Sequence, residues 1–568
     1  MVLLGFIKRL NHYCKFFPLK LNKVKLYCAA FLWLTIFSLV SGPLFSQENQ
    51  YLNYAWSQIY NLETPLVVVD DSSEVALQFT SFKPRIVKPI MSPPSQNDVY
   101  MKRKFYEESL FIAYDKNDKF RLTIDPLFNL EIGKDLVDTT GETPFTNTRG
   151  VRMQGAIGEQ FFFYTSFYEN QSTFVQYIDD KIAYTGTLFP GTEIVPGQGR
   201  AKVFKVNGYD YAQAFGYISY SPSNTINLQL GHGKHFIGHG YRSLFLSDNA
   251  HNYPYARIST TYKKLQFTNL YTSFLNLTDG GVTTPANIER LFQKKVGAYQ
   301  TVSYNHNNIW ELGVSQSLIW TAADTMNAQH LSFNTFNPIL GVNAFGYGMR
   351  NDNNVMLAFH GKYNFQNNIS AYGQIVVDDF KRETDLTDVY KKYGYQLGLK
   401  YFQQLKFGNL YCQVELNRVR PYTFSAEKVA QSYTHFNQSL AHPLGANFNE
   451  IVSFINFKRD RHFAQLKMNF ITQGLDSANS NYGSNVFVPD NSTLPVTSNL
   501  LDVKTLQGNK SLTNIFDLHY GYLVNPVTNF SVVMGVISRI NTIDDVSTST
   551  HYVYFSVRTY LRNLYYDF

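Results

Sequence analysis

The stretch Ile226-Asn227-Leu228-Gln229-Leu230-Gly231 decides the fold of this chain, because apolar and polar side chains alternate in it residue by residue. Successive side chains of a β-strand point to opposite faces, so the alternation predicts a strand with one apolar and one polar face. The same pattern returns near the end of the chain, where Val553, Phe555 and Val557 interleave with more polar residues. We therefore expect such strands over most of the chain.

Short polar turns join these segments in pairs. Residues that favour tight turns cluster near 158–159, 221–224, 263–264, 305–308, 366–368, 403–408, 458–462 and 525–529. Longer irregular stretches separate the pairs, at about 134–149, 173–208, 232–254, 276–294, 321–352, 381–391, 421–447, 473–511 and 541–548. Outer-membrane barrels have this layout, with short periplasmic turns and long extracellular loops. The eight turns join sixteen strands, and one further strand at each end predicts about 18.

The composition agrees with a transmembrane β-barrel. Phe, Tyr and Trp make up 16% of the residues and charged residues another 16%, whereas roughly 25% of a typical soluble domain is charged. Beyond the N-terminal leader, no segment holds the ~18 consecutive apolar residues of a membrane helix. Because only every second residue of a barrel strand faces lipid, no segment needs to be apolar throughout. The expected fold class is all-β, an outer-membrane antiparallel barrel.

The first 46 residues are typical of a secretory signal. Six Lys and Arg residues precede the apolar run Tyr27–Val40, and small residues follow. We expect cleavage near Ser46; a membrane-anchoring helix is the alternative, but the run is short for one. Removing the six cations leaves 44 basic and 43 acidic residues, so the formal charge of +7 gives no electrostatic support for binding nucleic acid. The expected division is 1–46 signal peptide, 47–118 periplasmic or plug-like segment, and 119–568 barrel.

Cysteine usage excludes a disulfide framework. Two of the three cysteines lie in the leader, and the third, Cys412, lies on a predicted strand. We interpret Cys412 as a small packing residue. No cofactor is expected.

The alternation breaks between Gly231 and Arg257, where four glycines fall within ten residues among histidines, cations and tyrosines. Glycines let a backbone adopt positive φ and be approached closely. Counting turns places this loop after the fifth strand, on the extracellular side. We expect it to fold over or into the barrel mouth, because burying the apolar run Leu244–Leu246 stabilises by about 1.5–3 kcal/mol per side chain.

Three stretches resemble the Wzi-type capsule-assembly family of outer-membrane proteins, in particular its Bacteroidetes branch labelled gliding-motility protein RemB. The first comprises 231–249 (GHGKHFIGHGYRSLFLSDN) with 252–255 (NYPY), the second is 372–380 (YGQIVVDDF), and the third is 438–448 (QSLAHPLGANF). The resemblance implies an 18-stranded barrel that binds surface polysaccharide and retains capsule on the cell. The capsule proteins carry a helical plug, whereas residues 47–99 here are short and proline-rich. The terminal Tyr565–Phe568 resembles the carboxyl-terminal signal of outer-membrane barrels.

The candidate glycan-binding residues lie in the first stretch. Arginine can pair with acidic sugars, carboxylates and amides bond hydroxyl groups, and tyrosine faces pack on sugar rings. These candidates are Arg242, Asp248, Asn249, Tyr253, Tyr255, Arg257 and His239. The alternative is a structural loop that closes the pore, held by Arg–carboxylate contacts. Arg418, Arg420 and Glu415 are expected in networks inside the barrel.

Catalytic and metal sites are weakly supported. Ser243 does not lie in a nucleophile elbow, and a glycine-rich loop does not promise that His232, His235 and His239 converge on a metal. We therefore expect a non-enzymatic outer-membrane protein that binds or retains surface polysaccharide. The alternatives are a gliding-motility or adhesion component acting through protein partners, including gliding or secretion machinery, and, third, a diffusion porin. Outer-membrane lipid is the expected surrounding in each case.

Overall fold

The computed structural model describes most of the chain. The described residues are 48–50, 79–83, 85–87, 99–115, 119–188, 193–205, 207–277, 292–321, 337–341, 353–365, 368–378, 391–477, 480–490, 503–559 and 564–568. The predicted signal peptide and its cleavage site lie outside them.

Eighteen long strands form one closed antiparallel barrel. The first nine are β1 Phe120–Asp135, β2 Phe145–Ile157, β3 Phe161–Thr173, β4 Gly208–Tyr220, β5 Ile226–Gly233, β6 Tyr253–Tyr262, β7 Leu265–Asn276, β8 Gln293–His306 and β9 Trp310–Thr321. The other nine are β10 Asn354–Asn364, β11 Ile369–Asp378, β12 Lys392–Leu405, β13 Gly408–Val419, β14 Phe448–Arg459, β15 His462–Leu475, β16 Asn509–Asn525, β17 Phe530–Ile543 and β18 Val546–Arg558. Each strand pairs with the next, and β18 pairs with β1, from Tyr552↔Asp135 to Arg558↔Asn129. Closure leaves the barrel without a free sheet edge.

The strand count predicted from the turns is confirmed. All eight predicted turns lie between paired strands, at what we call the short-turn end, which is periplasmic in outer-membrane barrels. One predicted loop is wrong: β17 and β18 continue through 541–548 and meet at a two-residue turn, Asp544-Asp545. Both turn residues have positive φ, 46° and 69°, as a tight hairpin turn requires.

The strands carry their apolar face outward. On β5, Leu230 is 65% exposed, whereas the neighbouring Gln229 is 1% exposed and faces the lumen. On β18, Val553 and Phe555 are exposed, whereas Ser556 is buried. A soluble protein would not leave such a belt in water, and a lipid-facing barrel requires it. The chain therefore forms a transmembrane β-barrel with a polar interior.

The remaining elements are short. Helix α1, Tyr100–Tyr106, precedes a strand, Phe111–Tyr114, that pairs with β1. Helix α2, Gln176–Leu188, lies in the loop between β3 and β4. Among the described residues, no helix is long and apolar enough to cross a membrane.

The last residues of the chain do not continue the barrel wall. Strand β18 ends at Arg558, and residues 564–568, here called the tail, form no strand. Tyr565, Asp567 and Phe568 are buried. The terminal Phe568 therefore does not occupy the strand position that the resemblance to a carboxyl-terminal barrel signal implied.

Candidate functional site

The plug loop, residues 234–252 between β5 and β6, folds into the barrel lumen as predicted. Leu244, Phe245 and Leu246 are 0% exposed. They belong to a cluster that includes lumenal side chains of the wall such as Tyr299 and Val376. Burial of three large apolar side chains stabilises the folded loop by several kcal/mol in total, at about 1.5–3 kcal/mol each.

Glycines let the plug loop approach the wall. A Cβ atom on Gly240 would lie 2.3 Å from Oε2 of Glu415 and 2.6 Å from Oε1 of Gln396. Gly238 has φ +147°, a conformation that L side chains rarely adopt. The glycine spacing in the sequence therefore has a structural cause, a close contact between loop backbone and barrel wall.

Glu415 of β13 is the first anchor of the plug loop. The amides of Tyr241 and Arg242 donate to its carboxylate at 2.7 and 3.1 Å. The hydroxyl of Tyr372 and the amide of Asn417 donate to it at 2.7 and 2.9 Å. The carboxylate is fully buried, and these four donors replace the hydrogen bonds to water that burial removes.

Arg242 is the second anchor, and its side chain is 1% exposed. Its guanidinium lies 3.0 Å from Glu450 of β14 and 3.1 Å from Asp567 of the tail. It also donates to the backbone carbonyl of Asp567 at 3.0 Å. Glu450 receives a further contact from Nε2 of His442 at 2.7 Å. One buried arginine thus joins the plug loop, the wall and the tail.

Ser243 and Gln374 hold the apolar part of the plug loop. The Ser243 hydroxyl donates to the carbonyl of Ile237 at 2.6 Å and accepts from the amides of Phe245 and Leu246. Gln374 of β11 accepts from the Leu244 amide at 2.8 Å. Every described contact of Ser243 is thus within the plug or with the wall that supports it.

A second piece of chain, Phe79–Lys83, here called the inner segment, lies beside the plug loop. Phe82 and Lys83 pair as a short strand with Ile237 and Phe236, and the Gly238 amide donates to the Ser81 carbonyl at 2.7 Å. Its other side is held by Glu311 of β9. That carboxylate accepts from the amides of Thr80 and Ser81 and from the Thr80 hydroxyl, at 2.9–3.1 Å. The inner segment is therefore part of the lumen filling.

The tail is the third piece of chain in the lumen. The Tyr565 hydroxyl donates to Asp248 at 2.7 Å, and Asp567 lies 3.4 Å from Nζ of Lys467 on β15. Farther along, Tyr177 of α2 donates to the Tyr566 carbonyl at 3.0 Å. The tail therefore runs through the interior toward the loop that carries α2.

The seven glycan candidates differ in accessibility. Asp248 is half-buried. The other six are each at most 5% exposed, namely His239, Arg242, Asn249, Tyr253, Tyr255 and Arg257. Arg242 and Asp248 do not contact each other; each bonds the tail instead. In this arrangement the six buried side chains hold the plug, and their role in glycan binding stays a prediction.

Burial also sets the protonation of the histidines in the plug loop. Desolvation lowers the pKa of His235 and of His239 well below the usual value, and cations nearby lower it further. Burial lowers the pKa of His251 to about 3. These rings are therefore neutral at pH 7. Within the described ranges, no group of three His, Cys, Asp or Glu side chains could hold a metal ion.

The three stretches that carry the family resemblance meet in the lumen. Gln374 and Tyr372, from the second stretch, bond the plug loop and its anchor Glu415. From the third stretch, the Leu440 carbonyl accepts from the Ser247 amide at 2.8 Å, and the Ser439 carbonyl accepts from Asn249 at 3.2 Å. Stretches about 130 and 200 residues apart in the sequence therefore build one structure.

Some of the predicted interior charges are misplaced. Glu415 faces the lumen as expected, but Arg418 lies on the outer face of β13, because it is three positions farther along a strand whose side chains alternate between the two faces. Arg420 lies beyond the end of β13 and donates to the carbonyls of Lys391 and Val503.

An elongated cavity of about 340 Å³ remains beside the plug. Its lining reaches Asn529 in the turn between β16 and β17, so the cavity extends to the short-turn end. At its other end it is lined by Tyr177 of α2 and Gln198. Asparagines, tyrosines and the tail form much of its wall, including Asn129, Asn170, Asn409, Asn456, Tyr168, Tyr411, Tyr554 and Tyr565.

Sequence reasoning missed the residues of this cavity and the partners of Arg242. Glu450 and Asn456 stand at polar positions of an alternating strand, like dozens of others. The alternation indicates that they face the lumen, but their partners come from distant strands and from the tail.

No protein-family model matches the sequence, and no curated protein is similar to it. Similar solved structures are bacterial membrane barrels. Wzi of Escherichia coli, described as an outer-membrane protein involved in group 1 capsule assembly and a carbohydrate-binding β-barrel, is 11% identical; the match covers 77% of this chain and 85% of Wzi, with a TM-score of 0.46. The outer-membrane protein OprD of Pseudomonas aeruginosa is 10% identical over 77% of this chain and 93% of its own, with a TM-score of 0.39. A BenF-like porin of Pseudomonas fluorescens is 7% identical over 77% and 97%, with a TM-score of 0.39. The likeness at these identities concerns the barrel fold alone and is shared by a capsule-assembly protein and porins.

Proposed function

We propose that this chain is a non-enzymatic outer-membrane protein that binds surface polysaccharide and retains it on the cell, and that it does not act as a diffusion porin. One observation carries the proposal: the plug loop, the inner segment and the tail fill much of the lumen and are tied together. The ties are a buried ion pair, Arg242 with Glu450 at 3.0 Å, and hydrogen bonds to a buried carboxylate, the three donors on Glu311. Opening a pore would require these charges to separate inside the barrel, where an unpaired buried charge costs about 3–5 kcal/mol.

The sequence supports polysaccharide as the ligand. The three stretches similar to capsule-assembly proteins converge on the plug, so the resemblance belongs to one three-dimensional unit. The exposed residues of the long loops, together with half-buried Asp248, are where a chain outside the cell would first meet the protein. Asp248 accepts a hydrogen bond from Tyr565 and has a second carboxylate oxygen that can accept from a sugar hydroxyl.

The test is a deletion strain complemented with the wild-type gene. We expect capsule to move from the cell surface to the medium in the deletion strain and to return on complementation. Colony spreading is scored in the same strains. Lost spreading with normal capsule retention would refute the proposal in favour of a gliding or adhesion role through protein partners.

A planar bilayer measurement on the purified protein tests the porin alternative. We expect no stable conductance steps. Steady open-channel conductance would contradict a filled lumen.

A further inference from the structure

We infer that the cavity beside the plug is a binding site for a short, uncharged oligosaccharide segment. The inference rests on the proposed function and adds a site and a ligand class to it. It is carried by buried side-chain amides that line the cavity and hold oxygen or nitrogen atoms without a hydrogen-bond partner among the described residues.

Asn456 of β14 provides the main observation. It is 7% exposed and lines the cavity, and neither its Oδ1 nor its Nδ2 atom has a hydrogen-bond partner among the described residues. Asn129 of β1 is 8% exposed, and its Oδ1 is also without a partner. Buried polar groups are nearly always hydrogen-bonded, and a buried group left without a hydrogen bond costs about 1–3 kcal/mol. Both amides therefore favour a ligand that supplies the missing bonds.

The hydrogen-bonding groups of the amides indicate the class of ligand. A side-chain amide both donates and accepts, so it complements the adjacent hydroxyl groups of a sugar. Asn456 stands in one row of the wall with Tyr411 on one side and Gln465 on the other. Across the cavity, Tyr554 stacks on Tyr552 with ring centroids 5.5 Å apart. Tyrosine presents both an apolar face and a hydroxyl group, which suits a sugar ring.

The charges of the cavity select against an acidic ligand. Its lining holds three carboxylates, Glu131, Asp517 and Asp567, three Lys and Arg side chains, Lys458, Lys467 and Arg558, and one histidine, His519. Lys467 lies between two of the carboxylates, 3.5 Å from Asp517 and 3.4 Å from Asp567. The carboxylates therefore equal the Lys and Arg side chains in number, so the lining carries no excess positive charge to attract an acidic ligand. The volume of about 340 Å³ lies at the lower end of the ~300–1,000 Å³ of small-molecule sites, which limits the bound segment to a few sugar units.

The experiment measures binding of three trisaccharides to the full-length detergent-solubilised protein by calorimetry. Maltotriose and triacetylchitotriose are uncharged, and trigalacturonic acid is acidic. The variants are Asn456→Leu and Asn129→Leu, which keep the branching and the number of side-chain heavy atoms and remove the amide. Asn514→Leu is the matched control, because Asn514 is exposed on the outer face of β16. Heat-modifiable gel mobility confirms that each variant folds.

We expect at least one uncharged trisaccharide to bind more tightly than the acidic one. We expect each lumenal variant to weaken that binding about tenfold, the equivalent of one hydrogen bond of about 1.4 kcal/mol, and the control to leave it unchanged. Absence of binding by both uncharged probes, or equal binding by wild type and both lumenal variants, would overturn the inference. Because the two variants alter different strands, a folding defect in one leaves the other to decide.

This outcome is separable from that of the proposed function. The cavity site alone is refuted if the deletion strain loses capsule, Asn456→Leu cells retain it, and the Asn456→Leu protein binds trisaccharide as the wild type does. Capsule retained in the deletion strain refutes the proposed function whatever the cavity binds.

Discussion

Replacing Arg242 with alanine tests how the plug is held. The side chain is 1% exposed and contacts Glu450 at 3.0 Å and Asp567 at 3.1 Å. Truncation removes the cation that Glu450 and Asp567 share, and it leaves Glu450 with His442 and Asp567 with Lys467 as remaining partners. Removing one partner of a buried ion pair typically costs about 3–5 kcal/mol, because the remaining charge stays desolvated. We expect the free energy of unfolding of Arg242→Ala to fall by that amount.

The assay is urea unfolding in detergent micelles, followed by tryptophan fluorescence and by heat-modifiable mobility. Arg418→Ala is the control, since Arg418 is exposed on the outer face of β13. A surface substitution of this kind changes the free energy of unfolding by no more than about 0.5 kcal/mol. A double-mutant cycle with Glu450→Gln should give a coupling energy in the range of about 0.5–3 kcal/mol that neighbours in one network show. A loss below about 1 kcal/mol for Arg242→Ala, with no coupling, would refute the clamp. Unchanged stability with lost polysaccharide retention would instead make Arg242 a ligand contact.

Three further predictions follow from the lumen filling. The pKa values of His235, His239 and His251 are lowered in the folded state, so the undocked loop binds more protons than the docked loop below pH ~6.5. Docking of the plug loop should therefore weaken on acidification, by up to about 1.4 kcal/mol per pH unit per histidine. The assay is the protease sensitivity of the loop between pH 7.5 and 5, and a sensitivity that does not change with pH would contradict the prediction. Gly240→Ala should lower the free energy of unfolding by about 1–3 kcal/mol, because the added Cβ overpacks against Glu415. Gly216→Ala is the control and should leave stability unchanged, since the nearest atom lies 3.4 Å from its added Cβ. Equal urea midpoints for the two variants would show that the loop backbone is not in close contact with the wall at Gly240. Deleting residues 564–568 should leave an assembled but less stable barrel, because the tail contacts wall side chains such as Lys467 from inside the lumen and adds no strand to the sheet. Failure to reach the membrane in a fractionation experiment would mean that the terminal residues do serve as an assembly signal.

The barrel could be predicted from the sequence because each strand carries its own signal. In Ile226–Gly231 the alternation fixes which residues face lipid, and the turn residues fix where strands reverse. The prediction failed at Asp544-Asp545, where an extracellular connection is a two-residue hairpin. Residues 541–548 (NTIDDVST) are mostly polar, so the alternation that marks the other strands is hidden there and the segment was interpreted as an irregular loop.

The plug could be predicted in part. The apolar run Leu244–Leu246 inside a polar loop indicated burial, and the glycines indicated close approach to other backbone. The partners could not be predicted. The sequence did not specify a partner for Arg242, which contacts Glu450 and Asp567, more than 200 residues away in the sequence. Such contacts depend on which wall strands the loop reaches, and a single sequence does not encode that locally.

The central claim is that segments of the chain itself occupy the barrel lumen, and a cysteine pair tests it most directly. The hydroxyl oxygens of Ser81 in the inner segment and Ser303 on β8 lie 3.0 Å apart. In the variant Ser81→Cys/Ser303→Cys, made in a Cys412→Ser background, mild oxidation of outer membranes should link the two peptides, as detected by mass spectrometry after proteolysis. Each single-cysteine variant should give no such link. If both cysteines instead stay reduced and react with a membrane-impermeant maleimide, the inner segment is not in the lumen and the account is wrong.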